Sequence, residues 1–347
     1  MSPFKSILAA TDFSAAADQA VRRAALLAQQ HGARLRVVHV VNPARLARLR
    51  QWVSPRTDAE PKVDDARDQL QRLAAELTSR FGVAAELQLR IGGVVEQLQR
   101  VSPRADLLVI GQRRRHALAE IVRGNTAQRL VEHCRRPVLV VKQAAGHAYR
   151  RALVPIDFTP ASDAAAFVAA ALSPEIDLQV FHAYASTGET VMREADVCES
   201  VIRDCRARHE AALMARMRRS MTRLGLDGRA LSFALGRGSP VKATLRQAQA
   251  LGADVLVATK QRQARRATSV LGNINGLLLR SHCDVLIVSG WVRDPRQAQA
   301  AAARWPATHS PAAGSPQAAW AAGVAAGVRG PSRTAARPNP ARAVAGP

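Results

Sequence analysis

Along the first 290 residues, short apolar runs alternate with longer amphipathic stretches. Residues 7–10, 35–41, 85–89, 107–110 and 138–141 are short and rich in Val, Leu and Ile; 7–10, 107–110 and 138–141 are continuously apolar. That pattern predicts strands covered on both faces. Between them, residues 15–31, 64–81, 94–102 and 125–133 carry apolar residues at helical spacing. Ser14 is placed to cap the first of these helices and Gly32 to stop it. Residues 43–61, bounded by prolines, read as a loop. Strand and helix in strict alternation predict a doubly wound parallel sheet, flavodoxin/Rossmann-like, with helices on both faces through right-handed crossovers.

The second half repeats this order. Strands are expected at 152–156, 178–182, 229–233, 255–258 and 285–288, with one long helix from about 189 to 224. The repeat is visible in the residues themselves. Ser6-Ile7-Leu8-Ala9-Ala10-Thr11-Asp12-Phe13-Ser14 matches Arg151-Ala152-Leu153-Val154-Pro155-Ile156-Asp157-Phe158-Thr159, offset by 145. Val38-His39-Val40 matches Phe181-His182-Ala183, and Ala105-Asp106 before an apolar run matches Ala253-Asp254. Gly124-Asn125 matches Gly272-Asn273, and His133-Cys134 matches His282-Cys283. Blocks in one order at near-constant offset define two modules, 1–145 and 146–290, each forming its own five-stranded sheet. From 291 to 347 the composition changes to 19 Ala, 8 Pro and 7 Arg with one acid, which predicts a disordered tail.

These repeated blocks resemble the universal stress protein (UspA-like) family in its tandem two-domain form. The match is carried in each copy by the strand ending in Thr11-Asp12-Phe13-Ser14 or Ile156-Asp157-Phe158-Thr159, by the strand ending in His39-Val40 or His182-Ala183, by the Ala-Asp pair, and by Gly-Asn followed by a helix and a last apolar strand. The resemblance implies a flavodoxin-like strand order, dimerisation through the last strand, and a role in tolerance of starvation, oxidants or respiratory arrest. Some members of the family bind ATP and others do not. On this basis the two modules are expected to pair as an intramolecular pseudo-dimer through residues 138–141 and 285–288, with a homodimer as a further option.

In nucleotide-binding members the pattern is Gly-x-x-Gly, nine residues, then Gly-Ser/Thr. Glycine lets backbone approach a phosphate, and a helix N-terminus offers free N–H groups. The first module has Gly111-Gln112-Arg113-Arg114, nine residues, then Gly124-Asn125-Thr126: the spacing stands, but Arg114 replaces the second glycine. The second module has Thr259-Lys260-Gln261-Arg262, nine residues, then Gly272-Asn273, so only the last glycine remains. The resemblance therefore assigns ATP contacts to Thr11, Asp12, Val40, Gly111, Arg113, Arg114, Gly124, Asn125 and Thr126 in the first module. In the second, where ATP is not expected, it leaves Asp157, Gly272 and Asn273. The competing reading of Asp12 and Asp157 is a cap on the turn after the first strand.

Charge adds one alternative. Lys and Arg total 50 against 27 acids, a net +23, of which the tail carries +6. Both candidate loops are basic, and arginine pairs bidentately with phosphate oxygens. A protein docking on nucleic acid or another polyanion through these clusters and the tail is thus a second reading. An Arg-for-Lys bias with abundant Ala also fits a GC-rich coding sequence. No aromatics interleave the basic segments, which weakens stacking on single strands.

Catalytic and metal readings find little support. No nucleophile, base and orienting group stand at a telling spacing, and no Walker lysine, HExxH or GxSxG occurs. The expectation is a protein that is not an enzyme. Cys134 and Cys283 read as buried structural thiols, because the neighbouring His133 and His282 face away from them. Cys198, Cys205 and His209 would share one face of the long helix, a weak candidate for a thiol sensor or zinc. The absence of a signal-like leader and of any ~20-residue apolar run leads to a cytoplasmic, non-membrane expectation.

Overall fold

The computed structural model describes residues 4–42, 60–112, 126–260 and 274–289. The reading of the tail, and most of the 43–61 loop, lies outside those residues. The first module builds β1 (Ser6–Thr11), α1 (Ala15–His31), β2 (Arg34–Val41), α2 (Glu60–Phe81), β3 (Ala85–Ile91), α3 (Val94–Val101), β4 (Leu107–Gly111), α4 (Thr126–His133) and β5 (Val138–Val141). The second builds β6 (Arg151–Pro155), α5 (Pro160–Ala170), β7 (Asp177–Tyr184), α6 (Thr187–Glu194), α7 (Glu199–Arg223), β8 (Leu231–Arg237), α8 (Pro240–Leu251), β9 (Val255–Thr259), α9 (Ile274–Arg280) and β10 (Asp284–Val288).

All ten strands form one sheet, in the order β3-β2-β1-β4-β5-β10-β9-β6-β7-β8. Within each half the strands run parallel and wind 3-2-1-4-5. That is the Rossmann winding, and it replaces the flavodoxin-like order implied by the family resemblance. The halves meet at β5 and β10, which pair antiparallel with Leu139 opposite Leu286 and Val140 opposite Val285. Strand burial follows position. β5, β9 and β10 are buried at every residue, whereas the edge strands β3 and β8 are only half-buried.

Alternate residues of each strand feed two cores. Ile7, Val109, Leu139 and Leu286 face α1, α2, α5 and α7; Leu8, Leu108, Val140 and Val285 face α3, α4, α8 and α9. Both cores run unbroken through the two modules. Alanine does much of the packing: Ala20, Ala24, Ala25 and Ala28 are the buried stripe of α1, so the helix lies close on the sheet without aromatic filler. The repeated Ala-Asp pair proves to be a clamp on strand starts. Asp106 Oδ2 accepts the backbone N–H groups of Lys5 and Ser6 at 2.9 and 3.1 Å, and Asp254 Oδ2 accepts those of Arg150 and Arg151 at 2.8 and 2.9 Å.

Two expected elements differ. The single helix over 189–224 is two helices, α6 and α7. Asp196 sits at φ 55°, Val197 N–H bonds Met192 C=O at 3.0 Å and Asp196 N–H bonds Arg193 C=O at 3.1 Å. That is a Schellman ending with aspartate where glycine is usual, so the sequence carries no stop signal. The strand expected at 229–233 runs instead over Leu231–Arg237, because Arg229 still belongs to the preceding turn through its N–H to Leu226 C=O. The break leaves Cys198 at the N-cap of α7, with Cys205 and His209 inside that helix. Cys198 precedes the first turn of α7, its Sγ 3.2 Å from Ser200 Oγ, and among the described residues no three His, Cys, Asp or Glu gather as a metal site. Cys134 and Cys283 are buried and unpaired, with their neighbours His133 and His282 exposed.

Candidate functional site

The carboxyl ends of β2, β1 and β4 lie side by side, with β1 in the middle. This is the edge at which open α/β sheets bind ligands. Thr11 ends β1 buried, its Oγ1 accepting the Phe13 N–H at 3.0 Å. Asp12 is exposed, and its Oδ1 accepts both the backbone N–H of Ser14, at 3.1 Å, and the Ser14 hydroxyl. Ser14 Oγ in turn accepts the Ala17 N–H and caps α1. Asp12 is therefore engaged as a turn cap, whatever else it meets.

Phe13 pays for this turn with φ 57°, a left-handed conformation costly for a bulky side chain by about 1–3 kcal/mol. Its ring stacks on His39 at 4.4 Å, and His39 Nδ1 lies 2.9 Å from Thr11 C=O, so Nδ1 carries the hydrogen. Val40, next along β2, is half-buried and packs on the core beside α3 and α4.

Gly111 ends β4. A Cβ there would stand 2.3 Å from Ala16 O and 2.8 Å from Ala17 N, both in the first turn of α1. The glycine is thus required for strand-to-helix contact. Thr126 is the exposed first residue of α4. Arg113, Arg114, Gly124 and Asn125, with Gly272 and Asn273 of the second module, lie outside the described residues.

The second module repeats the turn almost atom for atom. Asp157 Oδ1 accepts the Thr159 N–H at 3.1 Å and the Thr159 hydroxyl at 2.5 Å. Phe158 sits at φ 61°, 4.6 Å from the His182 ring, and His182 Nδ1 is 2.8 Å from Ile156 C=O. Burial holds the His182 imidazolium below its ordinary range, against the pull of the Ile156 carbonyl. The modules part at two places. Thr259 stands where Gly111 does, buried, its hydroxyl without a partner among the described residues. Over the turn, the Arg216 guanidinium of α7 covers the outer face of Phe158 at 4.0 Å.

The Phe–His stack was not singled out as a unit by the sequence reading, although its residues recur in both copies of the repeat. Also missed was a charged cluster at the ends of β7 and β8. Glu189 of α6 is 6% exposed and accepts from Arg206 and Arg237; Tyr184 donates its hydroxyl to Glu210. Those partners come from four separate elements, and no local spacing announces them.

Comparison with known proteins agrees with this geometry. The universal stress protein family model matches residues 3–142 and again 148–289. A universal stress protein of Mycolicibacterium smegmatis is 31% identical over 195 residues, covering 53% of this chain and 65% of that protein, so the match spans just under two thirds of the relative's length. A universal stress protein of Thermus aquaticus, from the 3′ region of a QAH/OAS sulfhydrylase, is 33% identical over 40% of this chain and 99% of its own. The fold matches the crystal structure of a universal stress protein from Archaeoglobus fulgidus with a TM-score of 0.58 and 18% identity, over 82% of this chain and 98% of that one. With the family pattern present twice and a Rossmann-wound half built from each copy, this chain belongs to the universal stress protein family as a tandem of two modules.

Proposed function

We propose that the chain is a stress-response protein that works by binding rather than by chemistry, with a nucleotide site, for ATP, in the first module. One observation carries the reading: Thr11, Asp12, Val40 and Gly111 come from three adjacent strand ends, and Gly111 lies directly against the first turn of α1. The positive end of the α1 dipole, beside Gly111, favours phosphate there. The retained spacing from Gly111 to Gly124 supports the same loop design, with Arg113 and Arg114 supplying charge. In the second module Thr259 fills the place of the glycine, which argues against an equivalent site. Nucleotide bound at this edge would change a surface read by a protein partner. The expected site of action is the cytoplasm; no helix among the described residues is long and apolar enough to cross a membrane.

The net charge of +23 keeps polyanion docking as the second reading. Calorimetry on the full chain with ATP and with tripolyphosphate, at two salt concentrations, separates them. Saturable ATP binding that tripolyphosphate does not match supports the nucleotide site. Equal binding of both that falls steeply with salt supports the polyanion reading, and no binding of either overturns both.

A further inference from the structure

The charged cluster of the second module is built like a ligand site that already holds a ligand. Glu189 Oε1 accepts from Arg206 Nε at 2.8 Å and its Oε2 from Arg206 Nη2 at 2.5 Å, a bidentate fork. Arg237 Nη2 adds a third bond to Oε2 at 2.7 Å, and Arg193 Nη2 stands at 3.7 Å. Such a fork matches a phosphate as well as it matches a carboxylate. Its position is the carboxyl edge again: Arg237 is the last residue of β8 and pairs with Tyr184, the last of β7.

What holds the carboxylate there is unusual. Glu189 is the sole buried residue of α6. Thr187, Gly188, Thr190, Val191, Arg193 and Glu194 are exposed. This helix has no apolar face in the core, so its docking depends on charge. Its ends are held only locally: Ser186 makes no side-chain cap, and the left-handed Asp196 separates α6 from α7. A helix pinned by apolar burial cannot be displaced by a small anion. One pinned by charge, through Glu189 on Arg206 and Arg237 and through the exposed Arg193–Glu199 pair at 2.8 Å, can be, because the anion competes for the N–H groups that hold the buried carboxylate.

We propose that Arg206 and Arg237 form an oxyanion site in the second module, that Glu189 occupies it as a built-in ligand, and that α6 is a strap released when a phosphate dianion, free or terminal on a nucleotide, takes the place of Glu189. The site shares no residue with the first-module nucleotide site, and either can fail without the other.

The test uses the full chain. Glu189→Gln removes the internal competitor and keeps the shape. It should bind inorganic phosphate about tenfold more tightly than the wild type, the gain expected if the strap is open about a tenth of the time. Adding Arg237→Gln to that variant should abolish the gain, which assigns it to this site. Adenosine monophosphate in a parallel titration tells the sources apart: equal affinity means that phosphate alone is read, tighter binding that the nucleoside is read as well. In the wild type, amides of 187–194 should exchange faster in phosphate than in chloride at matched ionic strength, a measurement that stands even if the variant folds poorly. Phosphate binding unchanged by Glu189→Gln, a gain that survives Arg237→Gln, or exchange indifferent to phosphate would each overturn the proposal.

Discussion

Tyr149 donates its hydroxyl to Asp284 Oδ2 at 2.6 Å, joining the segment between the modules to the first residue of the last strand. Asp284 is fully buried, and its Oδ1 accepts the backbone N–H groups of Lys142 and Gln143 at 2.8 and 2.9 Å. Arg23 of α1 places Nε 3.6 Å from Oδ2, lays its guanidinium 4.1 Å above the Tyr149 ring, and donates to His147 C=O at 2.6 Å. Burial pushes the Asp284 carboxyl upward, while the bonds from Tyr149 and Lys142 and the Arg23 charge pull the other way. One carboxylate thus ties together the first helix, the connecting segment and the seam of the sheet.

Removing that carboxylate leaves Arg23 buried without a counter-charge. Asp284→Ala should destabilise the full chain by about 3–5 kcal/mol. Tyr149→Phe, which removes one bond to the same carboxylate, should cost about 1–3 kcal/mol. Urea unfolding midpoints read both, and an Asp284→Ala protein as stable as the wild type would show that the seam rests on strand pairing alone.

Two histidines make stability depend on pH. Burial depresses the imidazolium form of His31 and of His182, in each case against a backbone bond that raises it. A depressed folded value means the unfolded chain takes up protons first as pH falls. Stability is therefore full above the ordinary histidine value of about 6.5 and declines as pH drops below it toward the folded values. The melting temperature should fall between about pH 7.5 and pH 6, and the slope should flatten in His182→Gln. An unchanged slope in that variant would remove His182 from the account.

Much of this was legible in the sequence where structure follows from local pattern. The buried runs Leu107–Gly111 and Val138–Val141 declare themselves as strands, and the cap at Ser14 with the left-handed Gly32 bounds α1. Asp196 ends a helix without glycine or proline, so its turn was invisible. The strand β8 was misplaced because Arg229 and Ala230 look no different from strand residues until the turn bond to Leu226 is seen. The Arg23, Tyr149 and Asp284 network is invisible for another reason: its members are more than a hundred residues apart and only the sheet order brings them together. At the candidate site, Asp12 and Gly111 are named by the motif, but the contact of Gly111 with Ala16 is tertiary and shows in no spacing.

That contact predicts opposite outcomes at equivalent positions. Gly111→Ala drives a Cβ to 2.3 Å from Ala16 O, which is backbone and cannot swing away. The first turn of α1 must shift, at a cost of about 1–3 kcal/mol, and ATP binding should weaken with it. In the second module, Thr259→Val replaces a buried hydroxyl that has no partner among the described residues by a methyl of the same shape. It should leave stability unchanged or raise it by up to about 1 kcal/mol. Thermal melts of the two variants suffice, and a Gly111→Ala protein that melts with the wild type would refute the packing role.

The mirrored turns supply an internal control for the role of Asp12. Asp12 and Asp157 accept the same pair of donors, a backbone N–H and a hydroxyl two residues on. As turn caps they are equivalent, so Asp12→Ala and Asp157→Ala should each lower stability by about 1 kcal/mol. As ligand groups they are not equivalent if the proposed nucleotide site holds, because Gly111 stands at the end of one fourth strand and Thr259 at the end of the other. ATP affinity should then fall about tenfold or more in Asp12→Ala, the loss of one charged hydrogen bond, and stay unchanged in Asp157→Ala. Calorimetry beside thermal melts reads both quantities on the same samples. Equal stability losses with affinity unchanged in either variant would leave both aspartates as caps and nothing more.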